Sequence, residues 1–171
     1  MIYTELPHDC GEIINPYGFG FVPTGNTVPG AGWLFGLTAL WGWRRKRIEY
    51  EFTLRPDAPL TYRHPGGYYI QADKHGITDM GSIPEQLQVW YPKDSHNAAF
   101  LPHDSVCRVN ESAPLPHCLY YSRSLHDPYK AEAVTWQEAH HLLGMMIIAD
   151  GGYRMEANIV FKIVRRFGPR W

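Results

Sequence analysis

Apolar and polar residues alternate between Ile48 and Leu54, which is the period-two pattern of a β-strand with one buried face. The apolar positions are Ile48, Tyr50, Phe52 and Leu54. Two further strands are predicted at Leu60–Tyr62 and Tyr68–Ala72, because the turn-forming sequence His64–Gly67 lies between them. The middle of the chain is therefore predicted to form a short antiparallel sheet.

The C-terminal third has the spacing of two helices. Thr135 and Glu138 form a capping box, in which the threonine side chain accepts a hydrogen bond from the Glu138 amide. The residues predicted for the inner face of this helix are Trp136, Ala139, His140, Leu143 and Ile147. A last helix is predicted from about Met155 to Phe167, ended by Gly168 and Pro169. Its predicted inner stripe consists of Met155, Ile159, Ile163 and Phe167.

These elements predict an α+β fold in which a short antiparallel sheet packs against about three helices. Residues 1–30 are rich in glycine, proline and aromatic residues, so we predict an extended, irregular arm there. The chain is accordingly divided into an N-terminal extension, residues 1–47, and an α+β domain, residues 48–171.

The extension contains an apolar run at residues 30–43, which the basic cluster at residues 44–47 follows. The run is shorter than the roughly 20 apolar residues of a spanning helix, and it contains four glycines. Two interpretations remain: a buried or partner-facing segment, and a segment that contacts a membrane surface. The candidate interaction residues are Trp33, Phe35, Trp41 and Trp43.

Composition narrows the classes of function. The hydrophobic content is 44% and the charged content 19%, as in a folded protein of 171 residues. A net charge of −1 and the lack of a basic stripe predict no binding to nucleic acid. The three cysteines form no C-x-x-C pair, and the first residues do not resemble a signal peptide, so synthesis in a reducing cytoplasm is expected.

Candidate chemistry is concentrated in two short stretches. Thr78–Pro84 contains Asp79 and Ser82, and Leu101–Asp104 ends in His103 and Asp104. Asp79, His103 and Asp104 are candidate catalytic groups. Together with His140 they are also possible ligands for a divalent metal such as zinc, and three ligands plus water would suit hydrolysis.

The same residues also fit a structural role. Asp79 and Ser82 can close a turn through backbone hydrogen bonds, and His140 can be a hydrogen-bonded core histidine. Pro102 suits the first turn of a helix, which would place His103 and Asp104 near its positive end. Neighbouring helix residues point about 100° apart, so His103 and Asp104 would not easily face the same ion.

Residues 48–171 resemble domain-of-unknown-function family 1353 of tailed phages and prophages. The matching motifs are Leu60-x-Tyr62, Thr78-Asp79-x-x-Ser82-Ile83-Pro84, His103-Asp104, the helix opening near Ala139-His140, and the closing Val164–Trp171. His140 stands where the family usually has aspartate, an exchange that keeps ligand character.

The resemblance implies a phage or prophage origin, among structural and lysis genes. We therefore expect a structural or interaction protein of the tail, baseplate or neck of a phage particle, made in the host cytoplasm and carried in the virion. Its expected partners are other phage structural proteins, which the N-terminal arm would contact. Two alternatives stay open: a metal-dependent hydrolase acting on peptidoglycan, and a membrane-associated entry or lysis factor.

Overall fold

The computed structural model describes residues 4–29, 46–78, 96–108 and 113–171. Within these ranges the chain forms eight strands and three helices, which confirms the predicted α+β class. The strands are β1 Glu12–Ile14, β2 Phe19–Pro29, β3 Lys46–Leu54, β4 Thr61–His64, β5 Tyr68–Gln71, β6 His75–Thr78, β7 Cys118–Ser122 and β8 Lys130–Ala133. The helices are α1 Asn97–Cys107, α2 Trp136–Ala149 and α3 Arg154–Phe167.

The strands form two small sheets, and every pairing is antiparallel. One sheet has the order β1-β4-β5-β7-β8 and the other β2-β3-β6. The predicted hairpin is β4–β5, in which Tyr62 lies opposite Ile70. Strands β7 and β8 were not predicted, because Cys118–Ser122 lacks the alternation that would identify a strand with one buried face.

Residues 4–29 contain two paired strands, so the described part of the predicted arm is extended but not irregular. Strand β1 pairs with β4, and β2 pairs with β3, so both sheets include residues of the predicted extension. Leu6 and Cys10 are buried in the main core. The boundary predicted between residues 47 and 48 falls inside β3.

Two hydrophobic clusters lie on the two sides of α1. The larger cluster joins the five-stranded sheet to α2 and α3 and contains Phe100 and Val106 of α1. The smaller cluster contains Phe52 and Leu54 of β3, together with Leu101 of α1. Helix α1 is therefore packed from both directions, which explains why its charged and polar side chains are also buried.

The face that α3 buries is not the predicted one. Its buried residues are Ala157, Val160, Phe161 and Val164, whereas the predicted inner stripe lies on the neighbouring side of the helix. Met155 is 73% exposed and Ile159 44% exposed, and Ile163 and Phe167 are half-buried. The small Ala157 side chain lets the helix approach the core closely, and this contact selects the buried face.

Arg154 ties the N-terminal residues to the start of α3. Its guanidinium donates hydrogen bonds to the carbonyl oxygens of Pro7 at 2.9 Å, His8 at 2.7 Å and Leu6 at 3.4 Å.

Arg154→Met is expected to lower the free energy of unfolding by about 1 kcal/mol, because a cationic donor to exposed backbone is lost. The amides of residues 4–10 should then exchange faster with deuterium. Lys162→Met, on the same helix, should leave both measurements unchanged, and equal exchange in the two variants would contradict the proposed tie.

Candidate functional site

The candidate site is a buried chain of polar groups that crosses the protein from β6 to the C-terminal tail. Thr78 comes from β6, His103 and Asp104 from α1, and His140 from α2. Their exposed fractions are 1% for Thr78, 5% for His103, 3% for Asp104 and 0% for His140. We call these four side chains, with the carbonyl of Pro169, the histidine chain.

Asp104 and Thr78 form the end of the histidine chain that is nearest the three-stranded sheet. Its Oδ2 accepts a hydrogen bond from the Thr78 hydroxyl, and its Oδ1 lies 3.6 Å from His103 Nδ1. The prediction that Asp104 lies near the start of a helix is wrong, since α1 begins at Asn97 and Pro102 is inside it. The carboxylate therefore has side-chain partners instead of the helix N-terminus.

His103 and His140 are joined directly. The distance from His103 Nε2 to His140 Nδ1 is 2.9 Å, and His140 Nε2 lies 3.1 Å from the carbonyl oxygen of Pro169. A carbonyl oxygen only accepts hydrogen bonds, so His140 Nε2 carries the proton. In neutral His140 the Nδ1 atom is then an acceptor, which makes His103 Nε2 the donor. The Pro169 carbonyl thus fixes the direction of the hydrogen bond between the histidines.

The two imidazoles differ in charge. Burial alone favours neutral His103, but its interactions and hydrogen bonds with Cys107 and Asp104 outweigh burial and raise the pKa of His103 to about 10. Burial, followed by the charge on His103, lowers the pKa of His140 to about 3. One proton charge is therefore held on His103 beside Asp104, and His140 stays neutral.

Cys107 is a neighbour of the site that the sequence analysis missed. Its sulfur lies 3.5 Å from His103 Nε2 and 3.7 Å from Nδ1. The i, i+4 spacing of residues 103 and 107 is the signal that would have identified the contact. The ring nitrogens of His103 already face Asp104 and His140, so neither is free to take the proton of a cysteine nucleophile.

Aromatic rings and the C-terminal tail close the His140 end. The His140 ring contacts Trp136 and Trp171, with centroid separations of 5.7 Å and 6.4 Å. Trp171 stacks on His117 at 4.4 Å, and its Nε1 donates to the carbonyl of Val134. A side chain at Gly168 would place its Cβ 2.9 Å from His140 Nε2, so the tail passes His140 too closely for any residue but glycine.

The described donors do not fit a metal site. No group of three or more His, Cys, Asp or Glu side chains within the described ranges is arranged to hold an ion. The mutual hydrogen bond of His103 and His140 occupies the ring nitrogens that would bind a metal, and the second nitrogen of His140 donates to Pro169. Asp79 lies outside the described residues, so the complete four-residue metal site stays a prediction.

Several other predicted residues also lie outside the described part of the chain. They include Ser82 and the candidate interaction residues Trp33, Phe35, Trp41 and Trp43. None of the helices in the described ranges is long and apolar enough to cross a membrane. The arrangement that is described, a satisfied and buried polar chain, is chemically suited to locking α1, α2 and the tail together.

Comparisons of the chain with protein-family models, with curated proteins and with solved structures find no match.

Proposed function

We propose that this chain is a structural or interaction protein of a tailed-phage particle. The observation that carries the proposal is the outer stripe of α3, by which we mean Met155, Ile159, Ile163 and Phe167. Four apolar side chains at successive i, i+4 positions lie outside the buried face of α3, and two of them, Met155 and Ile159, are exposed. A helix that buries one apolar face internally and presents a second one is typical of a subunit that binds a neighbour.

Charged side chains beside the outer stripe indicate what kind of surface on a partner would suit it. Lys162 and Arg166 are exposed and lie three and seven residues after Ile159, so they flank the stripe on the same side of the helix. Glu156, the acidic residue of this helix, is occupied with the backbone amide of Tyr153. The stripe therefore suits an apolar groove with an acidic rim on a neighbouring subunit.

The histidine chain supports the same proposal. Its donors and acceptors pair with each other inside the protein, so a role in holding the scaffold accounts for them without a substrate. Metal-dependent hydrolysis of peptidoglycan is not part of the proposal, because the described histidines bind each other in place of a metal.

The particle assignment is tested by the double variant Met155→Gln/Ile159→Gln, with Leu125→Gln as the matched control. Each apolar side chain buried against a partner is worth about 1.5–3 kcal/mol, so the double variant should be depleted from purified particles at least about 10-fold. Quantitative mass spectrometry of particles measures this depletion. Both variants should keep the wild-type unfolding midpoint, since all three residues are exposed.

Incorporation of the double variant at the wild-type level would show that the outer stripe is not the contact surface. Absence of the wild-type protein from particles would overturn the structural assignment itself. Truncation before Ile48 is a poor substitute, because it would delete β1 and β2 and remove Leu6 and Cys10 from the core. Polar replacements of Trp33, Phe35, Trp41 and Trp43 test the predicted contact role of the extension without that damage.

A further inference from the structure

A cleft of about 730 Å³ opens where the five-stranded sheet meets the start of α2, and none of its lining residues belongs to the histidine chain or to the outer stripe. The rings of Tyr68 and Tyr121 line it, with centroids 5.7 Å apart. A volume of this size is within the usual range for small-molecule sites. We call it the β8 cleft, since Lys130 and Glu132 of β8 both line it.

Charged side chains of both signs surround the β8 cleft. They are Arg123, Asp127, Lys130, Glu132 and Glu138. None of the five forms an ion pair with another residue in the described part of the chain. Opposite charges that line one cleft can together face a ligand that carries both signs.

The strand register separates these charges into two ends. Lys130 lies opposite Tyr121, and Glu132 lies opposite Leu119 two residues further along the same face of β8. Two residues of a strand span about 7 Å. Arg123 follows the end of β7 on the Lys130 side, whereas Glu138 belongs to the first turn of α2 beside Glu132. The cleft therefore has a cationic end and an anionic end about 7 Å apart.

The anionic end carries mutual repulsion. Burial, and after it the charge of Glu132, raises the pKa of Glu138. An ammonium group between the two carboxylates would relieve this repulsion. At the cationic end, Asp127 on the β7–β8 loop offsets part of the charge of Arg123 and Lys130, so the ammonium contact should contribute more to binding than the carboxylate contact.

We propose that the β8 cleft binds a short zwitterion of the ω-amino acid or dipeptide type. The ammonium lies between Glu132 and Glu138, the carboxylate faces Lys130 and Arg123, and the connecting atoms lie against the rings of Tyr68 and Tyr121. Apolar connecting atoms suit an aromatic surface, and the two charged ends supply orientation.

The test titrates the full chain with 6-aminohexanoate, whose extended length is comparable to the separation of the two ends, and follows binding by calorimetry or amide chemical shifts. Hexanoate and hexylamine are matched ligands that each lack one charge. Hexanoate should bind at least about 10-fold more weakly than 6-aminohexanoate, because it loses the stronger contact, and hexylamine should be intermediate. Shifts should concentrate in β7, β8 and the first turn of α2.

Protein variants complete the test. Glu132→Gln and Lys130→Met should each weaken 6-aminohexanoate binding, Glu132→Gln by about 10-fold, with little effect on the unfolding midpoint because both side chains are exposed. Lys162→Met on α3 should bind like the wild type. The proposal is overturned if 6-aminohexanoate does not bind, if it binds no better than hexylamine, or if both cleft variants keep the wild-type affinity.

Discussion

Asp104→Ala is expected to lower the free energy of unfolding by about 3 kcal/mol, one of the two largest effects that the structure predicts. Asp104 is 3% exposed and accepts the Thr78 hydroxyl, and its second oxygen faces the positively charged ring of His103. Alanine removes the acceptor and leaves a buried imidazole without its counter-charge, which is the costly way to break a buried pair. Urea unfolding at neutral pH measures the difference between variant and wild type.

Asp104→Asn separates charge from hydrogen bonding. Asparagine keeps the shape and can still accept from Thr78, so the variant should lose less stability than alanine does. Asp57→Ala is the matched control, because Asp57 is 68% exposed and pairs with the exposed Arg55, and its change should stay within about 0.5 kcal/mol. If Asp104→Ala falls within the range of this control, the histidine chain does not stabilise the fold.

The elements with local signals were predictable from sequence. Thr135 caps α2 by accepting from the Glu138 amide, as the capping box predicted. Strand β3 contains the alternating segment, and the β4–β5 hairpin forms around the predicted turn. Each signal lies within a few residues, so the neighbouring side chains and backbone determine the result without the rest of the chain.

The face that α3 buries was not predictable in the same way. Its apolar residues cover two adjacent sides, and periodicity alone does not say which side meets the core. The structure buries the side that contains Ala157 and Phe161, because the small residue permits close approach and the ring fills the space beside His141. This choice depends on the shape of the core that α2 and the sheet provide.

Three residues of the candidate site could be identified from the sequence, but the hydrogen bonds that join them could not. His140 was predicted as a possible core histidine with hydrogen bonds, and His103 and Asp104 were predicted not to face one ion. Their partners come from distant segments, since His103 and His140 are 37 residues apart and Thr78 and Asp104 are 26 apart. No local pattern encodes such pairs, so Pro169 as a hydrogen-bond acceptor required the structure. Cys107 is different, because its i, i+4 spacing from His103 is a local signal.

The opposite charge states of the two histidines predict that stability is greatest near pH 6.5 and falls on both sides. On the acid side, the pKa of His140 falls from 6.5 to about 3 on folding. Below pH 6.5 the histidine therefore binds a proton in the unfolded chain but not in the folded one, so stability falls as the pH falls. Burial also lowers the pKa of His64 and of His141, which steepens this acid limb of the curve of stability against pH.

On the alkaline side, His103 has the opposite effect. Its pKa rises from 6.5 to about 10 on folding. Between these values the unfolded chain releases a proton that folded His103 retains, so stability falls as the pH rises. One proton changes the free energy of unfolding by about 1.4 kcal/mol per pH unit, which makes each limb steep enough to measure by urea unfolding between about pH 5 and pH 9.

His140→Gln assigns the acid limb to the buried histidine. The glutamine amide can accept from His103 Nε2 and donate to the Pro169 carbonyl, but it does not titrate. The variant is expected to be less stable at pH 7, and its acid limb should be flatter by up to one proton, or about 1.4 kcal/mol per pH unit. His126→Gln, in the exposed β7–β8 loop, is the matched control and should retain the wild-type profile. An acid limb of unchanged slope in His140→Gln would show that His140 is not the neutral member of the pair, and the assigned direction of the His103–His140 hydrogen bond would then be wrong.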